Sequence, residues 1–220
     1  MITQERVFAE KRLNWSGEEL IFSNQRVLVH PQTNSLILAD VHLGKTAHFR
    51  KHGVAVPESL AQEDLARLAD CINHYEVKQV IVAGDFFHAG ANRELQLFKT
   101  WRSEIPPVIF HLVKGNHDRL SRAIYDDIGL QIHVKEMMVG ELKITHHPSM
   151  EPVSPEICGH IHPGKLLKGK GRQRIKLPCF LKSDFQIVLP AFSLFTGLDT
   201  RFGHDDHESI CIGEQELFLC

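Results

Sequence analysis

Hydrophobic and polar positions alternate through the first 30 residues, in RVFAEKRL, EELIFSN and RVLVH. That is the period of short antiparallel strands with one buried face. The pattern then changes to unbroken apolar runs. NSLILAD (34–40), KQVIVAGD (78–85) and PVIFHLVKGNHD (107–118) have strand length and read as strands buried on both faces. Between the first two, residues 58–76 place Leu60, Leu65, Leu68 and Ile72 near helical spacing behind Pro57, which predicts an amphipathic helix. RELQLFKTWRSEI (93–105) reads as a second helix and DRLSRAIYDDIG (118–129) as a third. From about residue 130 the chain becomes strands separated by Pro and Gly turns: LQIHVKE, ELKITHHP, EICGHIH, RQRIKLPCFLK, FQIVLP and a closing hairpin, ESICIGEQELFLC. Strand–helix alternation followed by a strand-rich half predicts an α/β fold. The expected form is a four-layer αββα sandwich of two mixed sheets flanked by helices, as one domain over residues 1–220.

Composition narrows the function classes. The 220 residues are 43% hydrophobic and 24% charged, with a formal net charge of −2. These are values of a globular chain with a full core, not of a protein that coats nucleic acid through bulk positive charge. The opening MITQERVFAEKRLNW has no apolar signal region, and no run approaches the roughly 18 apolar residues of a membrane span. A cytoplasmic protein with no membrane partner is expected. Five widely spaced cysteines (Cys71, Cys158, Cys179, Cys211, Cys220) form no CxxC pair and read as reduced, buried thiols.

The chemistry gathers at strand ends. The three long apolar runs end in D-V-H (40–42), G-D (84–85) and G-N-H-D (115–118), and later strands end in HH (146–147) and GHIH (159–162). Ligands in α/β sheets sit beyond the carboxyl ends of the strands, so these ends should converge. Two aspartates, one asparagine and four or five histidines are too many for one tetrahedral site and suit two metal ions sharing a bridge. Carboxylate, amide oxygen and imidazole accept manganese, iron, zinc or magnesium. Glycines beside the clusters (Gly44, Gly84, Gly115, Gly159) would permit tight turns. His30, His52, His74, His111 and His133 stand singly and read as packed or surface residues.

The ordered motifs DVH, GD, GNHD, THH and GHIH, over residues 40–162, resemble the calcineurin-like metallophosphoesterase superfamily. The resemblance implies that Asp40, His42 and His162 hold one metal and that Asn116, His146 and His160 hold the other. Asp85 would bridge them and His117 would face the substrate. At HH the family's ligand is the histidine that directly ends the strand, which favours His146 over His147. Asp118 would either orient His117 or cap the following helix. Two divalent cations set against two aspartates leave a positive centre that a phosphodiester monoanion offsets, and His117 could give a proton to the leaving oxygen. Within the superfamily, LADVHLGKTAHFRKHGVAVP, GDFFHA, LPCFLK and LPAFSLFTG are similar to the bacterial ligase-associated DNA damage response endonuclease (PdeM-like) family, over about residues 20–200. That family implies a manganese-dependent phosphodiesterase or nuclease acting on DNA, associated with a repair helicase and a DNA ligase. Action on small molecules, as a cyclic-nucleotide phosphodiesterase or a phosphomonoesterase, is the alternative.

Weaker candidates surround the motifs. In KTAHFRKHG (45–53), Arg50 or Lys51 could meet a substrate phosphate, and His48 or Phe49 could flank a leaving nucleoside. His88 follows Asp85 by three residues as an outer partner. KLLKGKGRQRIK (165–176) holds six cations and no acid, so Arg172 and Arg174 are candidate phosphate contacts on what is otherwise a solvated basic hairpin. HDDH (204–207) reads as an exposed loop.

Overall fold

The computed structural model describes residues 6–45, 49, 53, 57, 59–88, 92–203 and 205–220. The first sheet contains β1 (Glu10–Trp15), β2 (Glu18–Ser23), β3 (Val27–His30), β4 (Ser35–Leu38), β5 (Gln79–Ala83), β6 (Ile109–Val113) and β7 (Leu130–His133), side by side in chain order. β1 to β4 pair antiparallel, and β4 to β7 pair parallel. Each parallel connection carries a helix: α1 (Leu60–Tyr75), α2 (Asn92–Glu104) and the short α3 (Arg122–Asp127). The second sheet contains β8 (Glu136–Val139), β9 (Leu142–Thr145), β10 (Glu156–Cys158), β11 (Gly164–Lys168), β12 (Arg174–Lys182), β13 (Gln186–Val188), β14 (Glu208–Ile212) and β15 (Leu217–Leu219). Its order is β15-β14-β12-β13-β10-β9-β8, with β11 paired to β12 alone.

Alternation along each strand builds the layers. In β5, Val80 and Val82 join Leu65, Leu68 and Ile72 of α1 and Phe98 and Trp101 of α2 in the helix-side core. Ile81 points the other way, into a core shared with Ile157, Phe180, Ile187 and Ile210 of the second sheet. There Phe22 and Phe180 meet edge to face at 5.1 Å, one ring from each sheet. Burying a side chain of this size is worth roughly 1.5–3 kcal/mol, so the shared core is what holds the sheets together. Cys158, Cys179, Leu181, Val188 and Cys211 face outward from the second sheet under Ile161, Phe202 and Phe218. The fold class is as expected, with one difference in its outer layers. The described helices all lie on the first sheet, and turns with the last strand cover the second.

Two local expectations need correction. LQIHVKE is not one strand of the second sheet. It divides at Val134 and Lys135: β7 pairs with β6 in the first sheet, and β8 opens the second. α3 returns the chain parallel to β6, so hydrophobic pattern alone placed the sheet boundary four residues too early. Nor are all five thiols reduced. Cys211 and Cys220 form a disulfide across the β14–β15 hairpin, which brings their Cα atoms to 6.5 Å, within the usual range. Cys71, Cys158 and Cys179 are free and buried as expected. No helix among the described residues is long and apolar enough to cross a membrane.

Candidate metal centre

The parallel strands of both sheets end on one edge, and there the sheets join. Ala39, just past β4, bridges in parallel to Ala191, past β13. The ladder continues beyond the strands: Asp40 N–H donates to Gly84 O (3.0 Å), His42 N–H to Asp85 O (2.9 Å), and Gly159 N–H to His146 O (3.0 Å). Consecutive polar motifs are therefore stitched to one another by backbone. Asp40 (φ 57°), His42 (50°), Asp85 (54°), His160 (72°) and His162 (55°) all adopt left-handed backbone. Asp and His tolerate this region better than most residues, yet each instance costs on the order of 1 kcal/mol. Five such residues on one edge show a backbone bent to aim side chains inward.

Asp40, His42 and His162 form a first group of donors. His162 Nε2 lies 3.3 Å from both Asp40 Oδ1 and His42 Nε2. Asp40 is fully buried; its Oδ2 accepts the His160 N–H (2.9 Å), while Oδ1 has no hydrogen-bond partner. A buried carboxylate oxygen left this way costs a few kcal/mol, and a cation between it and the two imidazoles would satisfy it. Burial, then the nearby charges of Lys45, His162, His117 and His88, push the His42 pKa down to about 2. Its ring stays neutral, as a ligand must be.

Asn116, His146, His147 and His160 form a second group. His146 Nδ1 donates to Ala83 O (3.0 Å), which leaves the Nε2 lone pair facing Asp85 Oδ2 (3.6 Å) and His160 Nδ1 (3.2 Å). His147 is exposed, and its Nε2 lies 2.8 Å from Asn116 Oδ1. His146 therefore occupies the inner position and His147 the rim. Burial and the neighbouring His146 lower the pKa of His160 and of His147. Asp40, Asp85 and His146 form a third triad with donor atoms within 4.8 Å of one another, which puts Asp85 between the two groups. Oxygen and imidazole donors in two adjoining clusters, one holding an orphaned carboxylate oxygen, fit two divalent cations.

Around this centre, His117 gives its backbone N–H to Asp85 Oδ1 (2.8 Å). Its half-buried ring stacks on His88 (4.6 Å between centroids) and meets His42 edge to face (5.4 Å). Asp118 does neither thing expected of it. Its Oδ2 accepts the N–H groups of Asp85 and Gly115 (2.8 Å each), and its Oδ1 those of Phe86 (3.0 Å) and Phe87 (3.2 Å). The carboxylate is spent on the turn that carries Asp85, so Asp118 is a positioning residue and not a catalytic one. The glycines meet the expectation in part: Gly44 (φ 94°) sits in a left-handed turn as expected. Gly84 does sit in a left-handed turn (φ 88°), but a Cβ there would also lie 2.0 Å from His146 Nδ1. At Gly115 and Gly159 the need is room alone, since a Cβ would lie 2.2 Å from Asp85 Oδ1 and 2.5 Å from the Ala39 side chain.

Sequence reasoning missed the brace behind Asp40. Phe192 N–H donates to Ala39 O (2.8 Å) and Ser193 N–H to Asp40 O (3.3 Å). Arg26 holds this segment through Ala191 O (3.2 Å) and Ser193 O (2.9 Å). The buried Arg67 donates to Phe192 O, lies 4.0 Å above its ring and pairs with Asp64 (3.0 Å). Lys45, half-buried, feels the charges of both Asp40 and Asp85. A charged pair on the apolar side of α1 was the available signal for the brace. Of the outlying candidates, Arg50, Lys51 and His48 lie outside the described residues. Phe49 packs edge to face on Phe195 (5.6 Å). Arg172, on the β11–β12 turn, and Arg174, the first residue of β12, are exposed and belong to neither donor group.

The family model for calcineurin-like phosphoesterases matches residues 34–148, which span Asp40, His42, Asp85, Asn116 and His146. The chain belongs to that family. It is a metal-dependent phosphoesterase, a hydrolase using divalent cations. His160 and His162 lie beyond the matched span and join the site through the fold. The crystal structure of Pseudomonas putida nuclease MPE is similar over 96% of this chain and 100% of that one, with TM-score 0.82 and 26% identity. A solved structure of YfcE, a phosphoesterase from E. coli, is matched over 84% of this chain and 96% of that one, with TM-score 0.40 and 12% identity, too distant to carry an argument. No curated protein matches the chain.

Proposed function

We propose that this phosphoesterase is a nuclease that hydrolyses phosphodiester bonds in DNA, in the setting of repair. The observation that carries the reading is the pair of donor groups sharing Asp85 on one sheet edge, with the His117 ring at their margin. The likeness to the Pseudomonas putida nuclease over nearly the whole of both chains supports it. Asp40, His42, His162 and Asp85 would hold one divalent ion; Asn116, His146, His160 and Asp85 would hold the other, with manganese the expected metal. Such a pair supplies Lewis acidity toward the phosphoryl oxygens and a nucleophile at neutral pH. His117, fixed through its backbone to Asp85 and stacked on His88, is placed to protonate the departing oxygen. The repair setting, with a helicase and a DNA ligase as functional partners in the cytoplasm, rests on the resemblance carried by LADVHLGKTAHFRKHGVAVP and its companion segments.

The test is a matrix of metals against bis-aryl phosphodiester, mono-aryl phosphate and single-stranded DNA. Manganese with the two diesters should be fastest. His117→Ala should cost about 100-fold or more on both diesters, and Asp85→Ala should abolish turnover. An active Asp85→Ala enzyme would refute the shared-ligand reading. Faster turnover of the mono-aryl phosphate than of either diester would move the protein to phosphomonoesters.

A further inference from the structure

β12 is divided in function along its length. Cys179–Lys182 lie inside the second sheet, paired to β13 and β14, whereas residues 174–178 pair only with β11. Because β12 is antiparallel to β13, and β13 parallel to β10, this half of β12 runs out past the carboxyl ends of those strands. That edge is the one that carries Gly159 to His162. β11 begins two residues after His162, and the root of the ribbon is fixed beside it. Gly164 N–H donates to Asp199 O (2.7 Å), Asp199 N–H to His162 O (2.9 Å), and Cys179 N–H to Pro163 O (3.1 Å). A two-stranded ribbon therefore projects from the metal edge.

Its charge is unlike that of the rest of the chain. Residues 165–176 carry six cations and no acid in a protein of net charge −2, so the remainder sums to −8. Several cations elsewhere have carboxylate partners, as in Arg6–Asp70, Arg122–Asp126, Lys143–Glu156 and Lys182–Glu208. Among the described residues, Lys168, Lys170, Arg172, Arg174 and Lys176 form no ion pair. Only Lys165 is tied down, donating to Ser209 Oγ (3.3 Å). The register Lys168↔Arg174 and Leu166↔Lys176 puts three cations on one face of the ribbon. By strand alternation that face has the parity of Phe180, which packs toward the first sheet. The cationic face is thus turned to the side on which the Asp40 and Asp85 strands lie.

We propose that the β11–β12 ribbon is a clamp for the phosphate backbone of a polynucleotide whose scissile phosphate sits at the metal edge. The inference deepens the nuclease reading and rests on it. Five paired residues span about 14 Å, enough to lie beside the phosphates of roughly two to three successive nucleotides. A mononucleotide bound at the metals would leave the ribbon empty, so the ribbon selects for a chain of nucleotides.

The experiment replaces Arg172, Arg174 and Lys176 together by Gln. The manganese enzyme is assayed on bis-aryl phosphodiester and on a single-stranded oligonucleotide, and a labelled oligonucleotide is titrated by anisotropy with metal removed. Turnover of the bis-aryl ester should stay within about twofold, while kcat/KM on the oligonucleotide falls about tenfold or more at low salt. The slope of log affinity against log salt should flatten by about 2, at about 0.7 per lost phosphate contact. Unchanged affinity and slope would overturn the clamp and leave the phosphodiesterase reading standing, and so would equal losses on both substrates. If the wild type hydrolyses neither diester, the nuclease reading fails, and anisotropy alone still decides the ribbon.

Discussion

The two donor groups share Asp85 yet are built differently. In the first, Asp40 and His42 are buried, Asp40 Oδ1 and His42 Nδ1 have no hydrogen-bond partners, and all three members sit on left-handed backbone. In the second, Asn116 and His147 are exposed and lie within hydrogen-bond distance of each other, and His146 sits on ordinary backbone. Empty, the first group carries the desolvation cost of unpaired polar atoms, while the second satisfies much of its own potential. A cation therefore relieves more in the first group. The contrast predicts a tight inner site fixed by the fold and a more exchangeable outer one open to substrate.

The sharpest break of that comparison is between His42 and His147. His42→Ala should remove one metal equivalent and lower diester hydrolysis by well over the 10- to 100-fold that loss of an outer partner costs. His147→Ala should retain both equivalents and lose less than about tenfold, since His146 already fills the inner position. Metal content by mass spectrometry, measured beside the rates, separates the cases. Loss of an ion from His147→Ala, with retention in His146→Ala, would reverse the assignment of inner and outer histidine.

A smaller effect follows from what the two groups have in common. Asp118 accepts four backbone N–H groups around the turn that carries Asp85. Asn in its place would turn an NH2 toward two of those donors. Asp118→Asn should cost about 3 kcal/mol in denaturant unfolding and weaken metal binding at both sites together, because both depend on Asp85. Unchanged stability would mean that the turn holds itself.

The strand ends were legible because two regularities coincide: an apolar run of strand length, and the convergence of parallel strands at their carboxyl ends. Asp40, Asp85 and Asn116 follow β4, β5 and β6, and His146 and His160 follow β9 and β10, as the motifs predicted. What stayed hidden depends on non-local contact. Asp118 reads as a partner of His117 or a helix cap because its true partners at 85–87 lie some 30 residues away. Asp64 and Arg67 stand at helical spacing with Leu60 and Leu68 on the apolar side of α1, yet nothing local says that they are buried and grip the segment past β13. Which sheet receives β7 follows from topology that no local window contains. The Cys211–Cys220 pair is closer to hand, nine residues apart in a hairpin that the pattern marks, but no CxxC spacing flags it.

The subtlest prediction concerns histidines with no carboxylate between them. His111 on β6 and His133 on β7 lie 3.1 Å apart through Nδ1 and Nε2. Burial lowers the pKa of both, and for His111 the neighbouring His133 lowers it further. In the unfolded chain each would titrate near 6.5, so below that pH the unfolded state binds more protons than the folded one. Stability from this pair is thus complete above about pH 6.5 and is lost as pH falls toward the folded values. Tm should drop more steeply between pH 7 and pH 5 in the wild type than in a His111→Gln, His133→Gln double variant, which cannot charge. Both measurements belong in metal-free protein, so that the ligand histidines contribute equally to each. Parallel pH slopes would show that the pair is relaxed enough to take up a proton where it stands, and that acid sensitivity resides in the metal edge alone.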